Sequence, residues 1–277
     1  FDAVCYAMTT VAIGGFSTHD ASFGFFEGST MIYWVSSVFM LLAGVNFSLH
    51  FFAWKSKSLS TYINDSEFKA YLGLLLSVVI ISGLALMTNS SENFEGVSFS
   101  QMFFQVVSIG TTTGYTSSGY GVWPIFIPFL LLLLSFVGGS VGSTGGGLKV
   151  ARCLILFKQG LREAKRLIHP SAEIVVKINQ KGVDQRILDS VWGFMSAYIG
   201  ILVVFTLIML ACGLNELTAF SAVAASLNNL GPGLGDVFVN YADLGSLPKW
   251  VCISAMVLGR LEIFALLVLF TPTFWQD

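Results

Sequence analysis

Charge is what this chain has least of. Asp, Glu, Lys and Arg together make 11% of its 277 residues, where a soluble domain carries about 25%. That shortage excludes an ordinary water-facing surface. With 55% hydrophobic residues and a mean hydropathy of +0.77, the composition is that of an integral membrane protein. The net charge of −2 offers no basic face for a nucleic acid. Cysteine is limited to Cys5, Cys153, Cys212 and Cys252. None has CxxC or metal-ligand spacing, so all four are predicted to be small buried hydrophobes. Histidine is limited to His19, His50 and His169, and none has a ligand-spaced partner. A Ser hydrolase built on Ser17 or Ser140 needs a His within reach. His19 stands two residues from Ser17 with only Asp20 to orient it, so no enzyme is expected. No signal peptide is visible. The chain opens on the short apolar segment Phe1–Thr9, which predicts that these residues are part of a longer protein.

What the chain does have is one pattern repeated three times: a short apolar segment, a Gly-rich break, then a long apolar span. The first break holds Val11, Ala12, Ile13, Gly14 and Gly15. The second holds Gly110, Thr111, Thr112, Thr113 and Gly114. The third holds Asn228, Asn229, Leu230, Gly231, Pro232 and Gly233. Segments too short to cross a bilayer, followed by exposed backbone, read as re-entrant pore loops, because lipid cannot satisfy bare carbonyls. A ring of such carbonyls replaces the hydration shell of an alkali cation, and Thr111-Thr112-Thr113-Gly114-Tyr115 resembles the Thr-Val-Gly-Tyr-Gly filter of potassium channels. Aligned by eye, Gly15, Gly114 and Gly233 share one level. The other reading of a single such break is a helix kink packed inside a bundle.

Five apolar runs reach the length needed to span: Ser29–Trp54, Phe68–Met87, Val122–Val137 with a continuation to Phe157, Ile187–Cys212 and Leu247–Phe270. Phe99–Ile109 and Leu217–Leu227 are the half-helices before the second and third breaks. Lys55 and Lys57, and the basic residues Lys158, Arg162, Lys165, Arg166, Lys177, Lys181 and Arg186, mark the cytoplasmic side. Asp20, Glu27, Glu92, Glu95, Glu216, Asp236 and Asp243 mark the other side, where Lys249 is the one basic residue. All three breaks then enter from outside. Phe157–Ile168 reads as an amphipathic cytoplasmic helix stopped by Pro170, either lying on headgroups or docking a cytoplasmic partner.

Two further motifs lie within spans. Gly138, Gly139, Ser140, Gly142, Gly145, Gly146, Gly147 and Lys149 fall where a helix should continue, and each Gly costs a helix about 1 kcal/mol relative to Ala. The stretch lacks the Gly-Lys-Ser/Thr ending and the preceding strand of a phosphate loop. It reads either as close helix packing or as a flexible loop that gates the path below the filter. Gly259-Arg260-Leu261-Glu262 puts charge at membrane depth, which must be paired or wet. Arg260 is predicted to face the pore and contact carbonyls of the Gly-rich loop, with Glu262 paired to a nearby base. The alternative is a structural ion pair near the cytoplasmic end.

Taken together, the half-helix, Gly-centred filter and span, with Gly-Ser-Thr-Gly-Gly-Gly-Leu-Lys and Gly-Arg-Leu-Glu, resemble the Trk/Ktr/HKT superfamily, most closely its TrkH-type bacterial potassium uptake proteins. The likeness covers essentially the whole chain. It implies an all-α, multi-pass protein of the bacterial inner membrane, with tandem helix–pore-loop–helix repeats around a pseudo-fourfold pore. Residues 1–54 would be the second repeat without its first span, 55–67 a cytoplasmic linker and 68–168 the third repeat. Residues 137–149 would be the intramembrane gating loop, 169–186 a second linker and 187–277 the fourth repeat, with the first repeat absent. It further implies K⁺ as the transported ion, no organic cofactor, a homodimer and a TrkA-like nucleotide-binding regulatory ring. The competing reading is a secondary transporter coupling K⁺ to H⁺ or Na⁺. Against it stand the same-way-up repeats and the lack of an obvious mid-membrane proton carrier.

Overall fold

The computed structural model describes residues 1–88, 98–117, 119–172, 174–179, 181–269 and 271–275. Glu92, Glu95 and Phe270, which figure in the sequence reading, lie outside the described residues. The described residues are mostly helical, with one two-stranded hairpin among them, of β1 (Lys177–Ile178) and β2 (Lys181–Gly182).

Three short helices precede the breaks: α1 (Asp2–Val11), α6 (Phe99–Gly110) and α10 (Glu216–Leu227). Side chains cap the starts of the last two. Ser98 and Gln101 form a reciprocal capping box on α6, and the Asn215 side chain accepts from Thr218 N at 2.8 Å on α10, which satisfies amides the helix start would otherwise orphan. The α6 and α10 helices are the most enclosed elements of the molecule, although they carry Gln101, Gln105, Ser108, Ser221 and Ser226. The α6 helix packs on α2 (Thr30–Ala43), α5 (Ser66–Thr88) and α7 (Phe126–Val137), and α10 packs on α9 (Gln185–Ala211) and α11 (Ser246–Arg260). Leu84, Ile80, Val203, Val204 and Leu207 face outward. Polar groups inside and aliphatic ones outside is the arrangement lipid demands.

Only α5 and α9 are unbroken helices long and apolar enough to cross a membrane among the described residues. Two of the five predicted spans are therefore corrected to broken ones, and the third is broken at the Gly-rich stretch as its glycines predict. Ser29–Trp54 divides into α2 and α3 (Phe47–Ser56), bent by 93°, because Gly44-Val45-Asn46 stops one helix and Asn46 caps the next through Ser48 N at 2.8 Å. The third span ends at Val137, and α8 (Val150–Ile168) restarts only after the Gly-rich stretch. In the last, α11 ends at Arg260. Glu262 and Ile263 take left-handed backbone angles, and α12 (Phe264–Leu269) follows. The short α4 (Ser60–Asn64) leads into α5. The amphipathic helix ends ahead of Pro170 as expected, although it starts seven residues before Phe157. The expected burial of the cysteines holds for Cys252 alone. Cys5 and Cys153 are half-buried and Cys212 is exposed, since an apolar position facing lipid reads in sequence like one facing protein.

Candidate functional site

The three breaks share one backbone design. Each pore helix ends in a cap residue, Ala12, Thr111 or Asn228. The next residue, Ile13, Thr112 or Asn229, is left-handed at φ 51°, 65° or 55°. The amide after that turns back to the helix: Gly14 N to Thr9 O, Thr113 N to Ser108 O and Leu230 N to Ala225 O, all at 2.8 Å. A glycine at φ 68°, 86° or 101° follows, and it is Gly15, Gly114 and Gly231. The alignment of Gly233 with the first two is thereby corrected. Gly233 lies two residues further on, and its Cα faces Val237, Tyr241 and Ser221. Asn229, a residue that tolerates the left-handed region, was the local signal for the true register.

This turn leaves backbone oxygens unused. The carbonyls of Ile13 and Gly14, of Thr112 and Thr113, and of Asn229 and Leu230 accept no hydrogen bond among the described residues. The loops also abut in order. A Cβ on Gly15 would collide with Thr113 O, and one on Gly114 would collide with Leu230 O and approach Pro232 Cδ to 3.1 Å. In both cases the glycine of one loop meets the carbonyl just before the glycine of the next. Gly15, Gly114 and Gly231 all line one cavity of about 700 Å³, together with Asp20 and Glu27, and no Lys or Arg is among its lining residues.

A polar scaffold behind the loops holds them. The Tyr115 hydroxyl meets the Thr9 and Thr10 hydroxyls on α1, tying the second loop to the first. Gln105 Nε2 and Ser108 Oγ both donate to Tyr115 O. The Tyr241 hydroxyl donates to Gly231 O at 2.8 Å. The buried Tyr198 hydroxyl donates to Asn228 Oδ1, and Asn228 Nδ2 donates to Ser135 Oγ at 2.9 Å. At the outer end His19 Nε2 lies 2.9 Å from Asp2 Oδ2, and this hydrogen bond, with a second from Thr18, holds the Asp2 carboxyl below the usual carboxylate range. The His19 ring is thus occupied by Asp2 rather than by Ser17, whose hydroxyl meets Tyr6 and the backbone O and N of His19.

Gly138 to Lys149 run directly against the inner ends of the three loops. Thr144 Oγ1 donates to Val11 O at 3.0 Å, Gly146 N to Thr112 Oγ1 at 2.6 Å and Gly147 N to Asn228 O at 3.2 Å. A Cβ on Gly146 would collide with Asn228 O, and one on Gly145 would lie 3.0 Å from Thr111 O. Only residues without side chains pack this closely. Gly138, Gly142 and Gly147 also need positive φ, while Gly139 passes close to Gly44 O and to Ser143. The stretch meets the break in the first span as well, with Ser140 N donating to Gly44 O at 2.8 Å and Phe47 N to Gly142 O at 3.1 Å. Lys149 Nζ donates to Gly145 O. Arg260 Nη1 donates to Thr144 O at 3.2 Å, and Glu262 pairs with Arg152 at 2.6 Å.

Sequence reading missed three contributors. Gly44 ends α2 at the loop. A Cβ on Gly259 would collide with Leu227 O. Glu67 accepts from Val141 N at 2.7 Å, and its signal was a lone carboxylate at the head of a long apolar helix. Among the described residues no His, Cys, Asp and Glu cluster could hold a metal ion.

Short helices ending in unpaired carbonyls, enclosed by apolar helices and packed against a Gly-rich stretch, define a helical membrane protein with broken spans. The comparisons name the family. The whole chain, residues 1–277, matches the family model described as TrkH, cation transport protein. The chain belongs to the TrkH family, one of multi-pass membrane transport proteins and not of enzymes. It is 48% identical over 277 residues to the Trk system potassium uptake protein TrkH of Salmonella typhimurium, covering 100% of this chain and 57% of that protein. Its identity to the protein of that name from Vibrio parahaemolyticus is 49% over 279 residues, again covering 100% of this chain and 57% of the relative. The crystal structure of the potassium transporter TrkH from Vibrio parahaemolyticus superposes with a TM-score of 0.91 at 48% identity, covering 99% of this chain and 59% of that one. The chain thus spans little more than half the length of these relatives.

Proposed function

We propose that this chain forms most of a potassium uptake path across a bacterial inner membrane. The observation that carries this reading is the set of unpartnered carbonyls at Ile13/Gly14, Thr112/Thr113 and Asn229/Leu230, repeated in three loops that abut in order. Such oxygens replace the hydration shell of a K⁺ ion. The succession Gly15 to Thr113 O and Gly114 to Leu230 O, carried one step on, sets Gly231 against a carbonyl of a fourth loop and closes a pseudo-fourfold ring. Asp20 and Glu27 in the outer cavity raise the local cation concentration ahead of the filter. The relatives named as potassium uptake proteins support K⁺ as the ion.

On this reading, residues 138–149 close the path below the filter, and Arg260 and Lys149 add a positive barrier to cations at the same level. Residues 1–54, 68–168 and 187–277 are then three successive repeats, joined by linkers at 55–67 and 169–186. A homodimer regulated by a TrkA-like nucleotide-binding ring belongs to the same proposal, with nucleotide chemistry left to the partner.

The test is radioactive rubidium uptake by the full-length protein in proteoliposomes. Gly114→Ser is expected to lose the preference for Rb⁺ over Na⁺, and Arg260→Ala to carry Rb⁺ faster with the preference kept. An unchanged preference in Gly114→Ser removes this loop from the filter. Uptake that runs only with an imposed H⁺ or Na⁺ gradient moves the protein to coupled transport.

A further inference from the structure

The contacts of the 138–149 stretch come mostly from the pore loops and the broken spans, with one exception. Glu67, in the first turn of α5, belongs to neither. Its carboxylate accepts from Val141 N, near the start of the Gly-rich stretch, at 2.7 Å. Ala151, in the first turn of α8 just past the end of the stretch, lies close to the same carboxylate. No side chain caps α8 from its own N-cap residue, and a carboxylate near a helix N-terminus interacts favourably with the helix dipole. Bonds to an ionised acceptor are roughly twice as strong as neutral ones.

The groups around it keep this carboxylate in place. Asp65 is near and of like charge, and Lys149 is near and of opposite charge. Asp65 is engaged elsewhere, accepting from Phe68 N at 2.7 Å and from Asn179 Nδ2 at 2.8 Å. Ser66, the residue before Glu67, donates its amide to Asn179 Oδ1 at 2.6 Å. The head of α5 is thus docked on the β1–β2 hairpin, while Glu67 reaches the loop.

We infer that Glu67 is a positioning residue that latches the Gly-rich stretch in its closed place, by holding Val141 against the head of α5. The inference rests on reading 138–149 as the gate. Glu67 touches neither the filter glycines nor their carbonyls, so its loss opens the gate without altering ion preference. It adds an attachment that none of the neighbouring repeats supplies to the loop.

The experiment compares Rb⁺ and Na⁺ uptake by the full-length protein as wild type, Glu67→Ala and Glu67→Gln, without any regulatory partner. Loss of one hydrogen bond to a charged group changes a closed-to-open ratio by about tenfold or more. Glu67→Ala is expected to raise Rb⁺ uptake about tenfold with the Rb⁺ over Na⁺ preference unchanged. Glu67→Gln, which keeps a carbonyl acceptor and loses the charge, is expected to fall between it and wild type. Unchanged uptake in well-folded Glu67→Ala overturns the latch. So does reduced uptake accompanied by a lower melting temperature in both variants, which would mark a plain structural role. The Gly114→Ser preference is read alongside. If it is unaltered, the filter reading fails on its own account, whatever the Glu67 variants do.

Discussion

The register of the third loop separates two neighbouring glycines that sequence alone made equivalent, and it predicts opposite consequences for them. Gly231 sits at φ 101°, two residues after left-handed Asn229, as Gly15 follows Ile13 and Gly114 follows Thr112. Replacing Gly231 with Ala imposes a side chain on a conformation that costs about 1–3 kcal/mol for an L-residue. The peptide relieves that strain by rotating the Leu230 carbonyl, the oxygen that meets Gly114. At 1.4 kcal/mol per tenfold, the preference for Rb⁺ over Na⁺ should fall by about ten- to a hundredfold. Gly233 has no such constraint. A Cβ there would meet Val237 Cγ2 at 2.5 Å, Tyr241 Oη at 3.3 Å and Ser221 Oγ at 3.4 Å, so Gly233→Ala overpacks the wall behind the loop. The cost is about 1–3 kcal/mol of stability, with the preference kept. The assay is competitive Rb⁺ and Na⁺ uptake in proteoliposomes, with melting temperature measured on the same samples. A flattened preference in Gly233→Ala beside an intact one in Gly231→Ala would refute the register and the hydrogen-bond argument behind it.

Three further expectations follow from the surrounding contacts. Asn228→Ala strands the Tyr198 hydroxyl and removes a partner of Ser135 in a buried network, so it should cost about 2–4 kcal/mol in denaturant unfolding; a cost below about 1 kcal/mol would mean that the network contributes no more than an ordinary hydrogen bond. His19→Ala should leave uptake nearly intact, and abolished uptake would revive a nucleophilic role for Ser17. The same variant tests Asp2. A carboxyl held low by His19 contributes stability that is present above its unfolded pKa near 4 and lost as pH falls through the lower folded value, so the melting-temperature gap between wild type and His19→Ala should close on acidification below about pH 4. Asn179→Ala removes two side-chain bonds to Asp65 and Ser66 while leaving Glu67 in place. It should raise basal Rb⁺ uptake in the direction of Glu67→Ala but by less, and a rise equal to or above that of Glu67→Ala would move the latch from the carboxylate to the hairpin.

The half-helices were legible because their ends are written locally. Ser98 with Gln101 and Asn215 start two of them, and glycines follow all three. The Gly-rich stretch was legible because so many glycines cannot sustain a helix. The breaks in the first and last spans were not. From Ser29 to Trp54 the chain holds no Asp, Glu, Lys or Arg, and only Gly44-Val45-Asn46 marks the 93° bend. At Glu262 and Ile263 no glycine marks the left-handed turn at all. Both breaks lie where the chain contacts the Gly-rich stretch, through Gly44 and Phe47 in one and Arg260 in the other, contacts that no local window shows. Gly231 was misplaced for a related reason. Pro232-Gly233 dominates the local pattern, whereas the register is set by the Leu230 N to Ala225 O bond. Arg260 and Glu262 stood out because charge at membrane depth must find partners, and each has one.

The broken spans and the loop make a single energetic system. Interrupting a helix inside a membrane orphans amides and carbonyls, and here the loop satisfies them: Gly44 O takes Ser140 N, Phe47 N takes Gly142 O, and Val11 O and Asn228 O take Thr144 Oγ1 and Gly147 N. In a dry environment, withdrawing the loop would leave each of these groups unpaired at about 1–3 kcal/mol apiece, and the plug would never move. The same groups line the proposed ion path, so water follows the loop as it leaves and takes over its hydrogen bonds at small net cost. What then resists opening is the part of the attachment that water replaces poorly, namely charged contacts and the close packing of Gly145 and Gly146 on Thr111 O and Asn228 O. On the gating reading proposed above, such a gate is held by charged contacts and by glycine packing. Arg260 on Thr144 O and Glu67 on Val141 N are therefore expected to have more leverage over conduction than the more numerous backbone bonds beside them.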